Sequence, residues 1–153
     1  MHGHSICHCD ISPKNIIIAT NPDGTERAVL IDFSISSHSS EKFSRFRGTA
    51  NYVHGQIFLN FLRNQKLFSP SADHDWAGLG FTLVYFANGC ICPWDVENFP
   101  KSKSQPSPAD IDALKSVMMT RLARARSVVE GIELKNEVEE LIDCDLQESA
   151  YNI

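Results

Sequence analysis

The stretch HCDISPKNIII at residues 8–18 and the stretch LIDFS at residues 30–34 decide the fold of this chain and most of its chemistry. Asp10 and Asn15 are five residues apart and stand directly before a β-branched run. Asp32 ends the second such run. Carboxylate and amide oxygens are ligands that suit Mg²⁺, and phosphoryl transfer needs such groups beside a base. The pattern therefore predicts a site that holds a divalent metal and a phosphate.

The residues between the two β-branched runs predict a hairpin. The sequence NPDG at 21–24 is a strong turn signal, since proline presets φ and glycine accepts a positive φ. Strands are therefore expected at 16–19 and 28–31, with the three polar groups at one end of the pair. A loop without periodicity is predicted at 34–46.

The rest of the chain predicts helices. Apolar residues at helical spacing, together with capping and breaking residues, predict four of them: at 56–67, from a cap at Asp73 or Asp75 to 88–89, at 110–128 and at 134–143. The stretch 100–108 is rich in Ser, Lys and Pro and is interpreted as a mobile connection. Two strands followed by helices predict the fold class α+β, mostly α.

The composition is that of an ordinary globular protein. The chain has 153 residues, of which 42% are apolar and 22% charged, enough for one domain with a core. Its net charge of −5 favours neither nucleic acid nor an anionic membrane as a partner. Five cysteines and no apolar leader segment indicate reduced thiols, and hence a cytoplasmic or nuclear location.

The uncharged run from Trp76 to Trp94 allows two interpretations. Its nineteen residues approach the length of a membrane span. However, the run contains three glycines and a proline, lies between Asp75 and Asp95, and has no basic flank to mark an inside end. A helix that is apolar all round can instead be the buried centre of a domain, and we favour that interpretation.

Four motifs, in one order along the chain, resemble those of the eukaryotic protein kinase family. HCDISPKN at 8–15 matches the catalytic-loop pattern His-x-Asp-x-x-x-x-Asn, and DFS at 32–34 stands where the family has Asp-Phe-Gly. GTANY at 48–52 resembles the end of the activation segment. Asp75, with Gly80 five residues later, resembles the start of the long buried central helix. Each motif is weak alone, and the order and spacing make the set specific.

Within that family the sequence is most similar to the casein kinase 1 branch. GTANY at 48–52, LGFTLVYF at 79–86 and Pro93-Trp94 carry this similarity. The resemblance implies a protein-kinase-like C-terminal lobe, in which the catalytic-loop hairpin is followed by helices, as a partial domain over residues 1–148. It also implies that residues 76–87 are core, which displaces the membrane interpretation.

The resemblance implies roles for individual residues. Asp10 would accept the proton of the substrate hydroxyl, and Thr49 would hydrogen-bond near that base, which favours Ser or Thr over Tyr as the acceptor. Asn15 and Asp32 would bind Mg²⁺. Three supporting residues would fix the loop in the fold: His8, Phe33 and Asp75. The implied cofactors are Mg²⁺ and ATP, and the implied partner is a protein substrate.

The sequence departs from the family pattern at four places. Cys9 replaces an arginine that pairs with a phosphorylated activation loop, so activity should not need that phosphorylation. Ser12 replaces a lysine, so a cation on the transferring phosphate is expected to be absent. Ser34 replaces a glycine, which narrows the backbone freedom there. HGQ at 54–56 replaces Ala-Pro-Glu, so the ion pair of that glutamate is not available.

The glycine-rich loop, strand lysine and partner glutamate of the family are not found before residue 8. We therefore interpret the N-terminal lobe as absent. Positioning supplies roughly 7–11 kcal/mol of a reaction barrier, so the isolated chain is expected to bind ATP poorly and to transfer no phosphate. One flank of the central helix Trp76–Ala87 is expected to be bare, and to be covered by the missing N-terminal half or by a partner.

A metal centre is one competing interpretation. Its candidate ligands are of zinc- or copper-compatible types: His2, His4, Cys7, His8 and Cys9, with Cys90 and Cys92. Their spacing is not a standard zinc pattern, which makes this interpretation the weaker one.

Two further alternatives concern function. A small-molecule phosphotransferase of the aminoglycoside or choline kinase type shares the loop at 8–15 and the Ile-Asp-Phe strand, but GTANY at 48–52 and the helix at Asp75 argue against it. A pseudokinase scaffold without catalysis would explain Ser12 and Ser34. The intact Asp10, Asn15 and Asp32 favour an enzyme.

Overall fold

The computed structural model describes residues 1–43, 46–62, 69–94 and 107–146. Within these residues, four short strands come first and four α-helices follow, so the prediction of an α+β, mostly α fold is confirmed. The strands are β1 (Ile6–Cys7), β2 (Ile16–Thr20), β3 (Glu26–Leu30) and β4 (Ser37–His38). The helices are α1 (Gly55–Leu62), α2 (Ala72–Ala87), α3 (Pro108–Val129) and α4 (Lys135–Asp143).

The predicted hairpin is present. Strands β2 and β3 are antiparallel, with a register that runs from Ile16 opposite Leu30 to Thr20 opposite Glu26. The turn is closed by the Thr25 N–H, which donates to Asp23 Oδ1 over 2.9 Å, and by Gly24 at φ +85°. A positive φ costs glycine little, so the Asp-Gly pair fixes the register that brings the two polar ends together.

The loop predicted at 34–46 is only partly correct. Strand β4 lies within it and pairs antiparallel with β1, with Ile6 opposite His38 and Cys7 opposite Ser37. A two-residue ladder has no readable periodicity, and its stability comes from tertiary contacts rather than from strand propensity. The pairing ties the segment after the hairpin to the segment just before the catalytic-loop motif.

Helix α2 begins and ends close to its predicted bounds, but its cap is different. The predicted cap at Asp73 or Asp75 is wrong, because Ser71 precedes the helix and its N–H donates to His74 Nδ1 over 3.2 Å. Asp75 is instead turned towards the N-terminal loop. The helix ends before Asn88, and Gly89 follows at φ +68°, as the Asn-Gly signal predicted.

The other helices follow their apolar patterns. The predicted helix at 56–67 is present as α1 up to Leu62, and residues 63–67 of the prediction lie outside the described part of the chain. Residues 100–106 of the predicted connection also lie outside it, and Pro108 is already the first residue of α3. On its predicted face, α3 buries Leu114, Met118, Leu122 and Ala125. On its own predicted face, α4 buries Val138 and Ile142.

The core lies between α2 and the helices around it. A Cβ on Gly80 would lie 3.0 Å from Ile142 N, so the absence of a side chain allows α4 to pack directly on α2. Phe81 and Val84 of α2 are fully buried, whereas Trp76 and Phe86 on another side of the same helix are exposed. None of the helices within the described residues has the length and apolarity needed to cross a bilayer.

A buried ion pair joins the C-terminal part of the chain to the segment before α1. Arg121 Nη2 lies 2.7 Å from Asp145 Oδ2, and Nη1 donates to Val53 O over 2.7 Å. The Gly55 N–H donates to Asp145 Oδ1. The residues at 54–56 include no glutamate, and the carboxylate that accepts the Gly55 N–H comes instead from Asp145, a contact that was not predicted from the sequence.

Beside this pair, the partly buried His74 lies against His54, with ring centroids 4.9 Å apart. Burial, and then the neighbouring His54, lower the pKa of His74 from 6.5 to about 3, although Asp145 acts in the opposite sense. Between these two values the unfolded chain binds a proton that the folded chain does not. Stability must therefore fall as the pH drops below about 6.5, by up to about 1.4 kcal/mol per pH unit.

We predict that His74→Gln removes this part of the pH dependence. Glutamine retains an acceptor for the Ser71 N–H but does not titrate. Urea unfolding at pH 7, 6, 5 and 4 measures the effect, because the difference in stability between the protein and the variant should shrink steadily towards low pH. His38→Gln, at an exposed histidine, is the control. Parallel curves for the protein and His74→Gln would contradict the prediction.

Candidate active site

The Asp10 carboxylate is the centre of the site. Thr49 Oγ1 donates to Asp10 Oδ1 over 2.7 Å. Asn15 Nδ2 donates to Asp10 Oδ2 over 3.0 Å and to the Asp10 carbonyl oxygen over 2.8 Å. The structure thus brings together three of the predicted site residues, although Thr49 is 39 positions from Asp10. Both carboxylate oxygens are held by donors, so the side chain has a fixed orientation.

A lysine also reaches this carboxylate. Lys14 Nζ lies 3.2 Å from Asp10 Oδ2. The sequence predicted no cation on the transferring phosphate, because Ser12 stands where the family has a lysine, and Ser12 is buried. The 3₁₀ turn Pro13–Asn15 places Lys14 and Asn15 beside the same oxygen, a contact that was not predicted from the sequence, and the expectation about the phosphate stays a prediction. The Lys-Asn dipeptide directly before β2 was the available signal.

Asp32 lies at the same end of the hairpin as Asn15. The Ile31 N–H donates to Asn15 O over 2.9 Å, which joins the end of β3 to the catalytic-loop segment. Asp32 itself has φ +60°, a left-handed conformation that Asp adopts more readily than most residues. Its Oδ1 accepts from the Ser34 N–H over 3.3 Å. Hydrogen bonds from Ser34, and then the charge of Lys14, lower the pKa of Asp32. The exposed carboxylate is therefore ionised at neutral pH.

Asp75 holds the backbone of the loop just before Asp10. Its buried carboxylate accepts the His8 N–H over 2.7 Å and the Cys9 N–H over 2.9 Å. His2 Nε2 donates to the same group over 2.9 Å. Cys9 has φ +68°, which is unfavourable for a side chain other than glycine, Asn or Asp. The two backbone bonds to Asp75 hold this conformation immediately before Asp10.

His8 links the loop to the second strand of the hairpin. Its Nε2 donates to the Ile31 carbonyl over 2.9 Å, and its Nδ1 accepts from the Asp10 N–H over 3.3 Å. One tautomer, with the proton on Nε2, satisfies both partners. Phe33 is half exposed and packs edge-on against the His8 ring, with centroids 4.7 Å apart. The three predicted supporting residues thus contact the segments that carry Asp10 and Asp32.

Gly48 allows Thr49 to approach Asp10. Its φ is +101°, and a Cβ there would lie 2.8 Å from the Cys9 carbonyl oxygen and from Val53 Cγ2. Both the conformation and the lack of space require glycine at this position. The Tyr52 N–H donates to Thr49 O over 2.9 Å and closes the turn that follows.

The donor set at Asn15 and Asp32 suits Mg²⁺. The Asn15 amide nitrogen is committed to Asp10, which leaves its carbonyl oxygen as the group available to a metal. Asp32 adds an ionised, exposed carboxylate. Mg²⁺ is usually bound through one or two carboxylates together with phosphates and waters, so these two residues fit such an ion next to a nucleotide.

The competing metal centre finds no support in the described residues. Among them, no group of three or more His, Cys, Asp or Glu side chains is placed to hold an ion. His2 and His8 donate to Asp75 and to Ile31 O, respectively. Burial, and then the Asp75 charge, raise the pKa of Cys7 to about 11 and that of Cys9 to about 12, which disfavours the thiolates that a metal would need.

Comparison with known proteins finds serine/threonine-protein kinases. The chain is 27% identical over 161 residues to "Probable serine/threonine-protein kinase FPV226" of fowlpox virus, a match that covers 99% of this chain and 52% of the relative. It is 37% identical over 57 residues to the human serine/threonine-protein kinase DCLK2, across 37% of this chain and 7% of that protein. The third relative is a probable CHK1 homolog of Encephalitozoon cuniculi, 30% identical over 100 residues, across 62% of this chain and 21% of the relative.

The chain therefore spans about half, or less, of the length of these relatives. Among solved structures, a kinase domain aligns over 94% of this chain and 56% of its own, with 13% identity and a TM-score of 0.47. No protein family profile matches the chain. The relatives named here are all protein kinases, which agrees with the coarse resemblance drawn from the motifs.

Proposed function

We propose that these residues form the catalytic-loop part of a protein serine/threonine kinase, which transfers the γ-phosphate of ATP to a protein hydroxyl in its full-length form. The observation that carries the proposal is the Asp10 carboxylate held by Thr49 and Asn15, beside the ionised Asp32. The similarity to kinases in three organisms supports it. Intracellular location and a protein partner are part of the same proposal.

The arrangement suits general-base phosphoryl transfer. The substrate oxygen attacks the γ-phosphorus, the bond from phosphorus to the bridging oxygen of ADP breaks, and ADP keeps that electron pair. Asp10 receives the hydroxyl proton, a contribution of typically 10²–10⁴-fold to such rates. Mg²⁺ held by Asn15 and Asp32 would neutralise phosphate charge. Thr49 orients the base, and Asp75 holds the backbone on which the base stands.

A finer proposal concerns the branch of the family. Trp94 Nε1 donates to the Asn51 carbonyl over 2.9 Å, so two of the stretches that resemble the casein kinase 1 branch are in contact. We propose that the chain is most similar to the casein kinase 1 branch. The motifs at 48–52 and 93–94 and this contact support the proposal.

We predict that Asp32→Asn weakens binding of Mg·ADP at least tenfold. The substitution removes the charge that faces the metal, and tenfold corresponds to about 1.4 kcal/mol. With the contacts described, the affinity of the chain for Mg·ADP should be on the order of 1 mM, which NMR titration in the presence and absence of EDTA can measure. A pseudokinase scaffold that binds no nucleotide would show no Mg²⁺-dependent shifts.

The matched control is Asp23→Asn at the opposite end of the same hairpin. Asp23 accepts from Thr25 two residues later, as Asp32 accepts from Ser34, and its pKa is lowered by the same kind of bonds. This variant should bind Mg·ADP within twofold of the unaltered chain. Equal affinities for both variants would overturn the proposed function.

A further inference from the structure

We propose that Arg47 is a positioning residue, which holds Thr49 against the Asp10 carboxylate through contacts that need no phosphorylated side chain. This inference rests on the proposed function, since it takes Asp10 as the base. It gives Arg47 a part that the sequence left without a residue, because Cys9 stands where the family pattern has an arginine.

The Arg47 guanidinium contacts residues well before it in the chain. Its Nη1 donates to Ser37 Oγ over 2.8 Å and to the Ile35 carbonyl oxygen over 3.2 Å. Its central carbon lies 4.3 Å from the centre of the Phe43 ring, which is close enough for a cation–π contact. A planar guanidinium that makes two hydrogen bonds and also stacks on a ring has a fixed orientation. Arg47 is therefore held by residues ten and twelve positions earlier.

The hydroxyl that accepts from Arg47 belongs to a buried strand. Ser37 is 4% exposed and lies in β4, opposite Cys7 of β1. The Ser39 N–H donates to Ser5 O over 2.7 Å and extends this pairing. The segment with the catalytic-loop motif follows β1 directly. Arg47 is thus bound to the same small sheet from which the catalytic loop begins.

Only one residue, Gly48, separates Arg47 from Thr49. Glycine has a wide conformational range and does not by itself fix the direction of the chain, so the residue before it must do so. Thr49 Oγ1 then reaches Asp10 Oδ1 over 2.7 Å. Misplacing a group at a reaction centre by about 1 Å can lower a rate by on the order of 10²-fold. A fixed Arg47 is therefore of direct use to the base.

The contacts of Arg47 do not depend on a phosphate. Its two acceptors are an uncharged hydroxyl and a carbonyl oxygen. Within the part of the chain that the structure describes, no carboxylate forms an ion pair with it. Burial is the main cause of the raised pKa of Cys9, and the charge of Arg47 opposes this rise, as expected for a guanidinium close to the Cys9 thiol. Arg47 thus brings a positive charge near the position at which the family pattern has its arginine.

The test uses NMR on the 153-residue protein, after mass spectrometry has shown that it carries no phosphate. Three-bond coupling constants report the rotamer of the Thr49 side chain, and hydrogen exchange reports the Tyr52 and Val53 amides, which donate to Thr49 O. The unaltered protein should show a single Thr49 rotamer. In Arg47→Met the rotamers should average, and the two amides should exchange about tenfold faster than the change in global stability explains.

Two further variants make the result specific to the contact. Ser37→Ala removes one acceptor and should also release Thr49, and it decides the question if Arg47→Met does not fold. The double variant should release Thr49 no more than Arg47→Met alone, because both changes break the same contact. Arg27→Met, on β3, makes the same chemical change at an exposed arginine and should leave the Thr49 rotamer unaltered. Urea unfolding of each variant measures global stability.

The inference is overturned if Thr49 keeps a single rotamer in both Arg47→Met and Ser37→Ala, if the two changes are additive, or if the unphosphorylated protein already shows averaged rotamers. None of these results alters the expected loss of Mg·ADP binding in Asp32→Asn, which tests the proposed function separately. If Asp32→Asn has no effect on that binding, the proposed function falls, and the role of Arg47 at the base falls with it.

Discussion

Replacing Arg121 by methionine will lower the free energy of unfolding by about 3–5 kcal/mol, which is a large part of the stability of a domain of this size. The side chain is completely buried and lies 2.7 Å from the buried Asp145 carboxylate. It also caps Val53 O and stacks over the Phe81 ring at 4.0 Å. Methionine fills much of the volume but leaves a buried charge without its partner, and that cost dominates.

Arg126→Met is a matched control in the same helix. Arg126 forms an ion pair of the same length, 2.7 Å, with Asp143, but the two side chains are 44% and 50% exposed. Exposed pairs are worth about 0–1 kcal/mol, so this variant should be nearly as stable as the original. Urea unfolding of both variants measures the contrast. Similar losses for the two would show that burial does not decide the strength of these pairs. Arg121→Met with Asp145→Asn should recover part of the stability.

Asp75→Asn should cost about 2–4 kcal/mol and loosen the catalytic loop. The carboxylate accepts from three donors, two of which are the backbone N–H groups of His8 and Cys9. An amide would turn one NH₂ group towards a donor and would remove the charge that strengthens the other bonds. The left-handed conformation at Cys9 would lose its support. Hydrogen exchange of the His8 and Cys9 amides should therefore quicken beyond the global change in stability.

Asp73→Asn is the corresponding control. It makes the same chemical change in the same first turn of α2, at a side chain that does not contact the loop through any described hydrogen bond. Its effect on stability should stay within about 1 kcal/mol, the usual range for a charge near a helix N-terminus. If Asp73→Asn costs as much as Asp75→Asn, the anchoring role of Asp75 is wrong.

The sequence allowed most of the local structure to be predicted, because those elements depend on local signals. The Asn-Pro-Asp-Gly turn sets the hairpin, and the apolar repeats of α3 and α4 set their buried faces. The β1–β4 pairing was missed, since two paired residues carry no pattern. The pair of Arg121 and Asp145 was missed because no local rule joins residues 24 positions apart in a core.

The contacts of the candidate site were likewise predicted only in part. The predicted residues Asp10, Asn15 and Thr49 are in contact, as the order of the motifs suggested. The contact between Lys14 and Asp10 was not predicted, because no local pattern shows which side chains of a short loop turn towards the carboxylate. The 3₁₀ turn at Pro13–Asn15 moves residue 14 to the carboxylate, while Ser12 turns inward. Only the folded loop shows that Lys14, and not Ser12, lies beside the Asp10 carboxylate.

The most direct test of the kinase site is the location of a metal–nucleotide complex on the chain. Mn²⁺·ATP, added at low stoichiometry to the ¹⁵N-labelled protein, broadens the NMR signals of nearby amides. The account predicts that the amides of Asp10, Asn15 and Asp32 broaden first, and that Asp32→Asn abolishes this selectivity. Broadening that begins instead around His2, His4 and Cys7, or that is uniform along the chain, would contradict it.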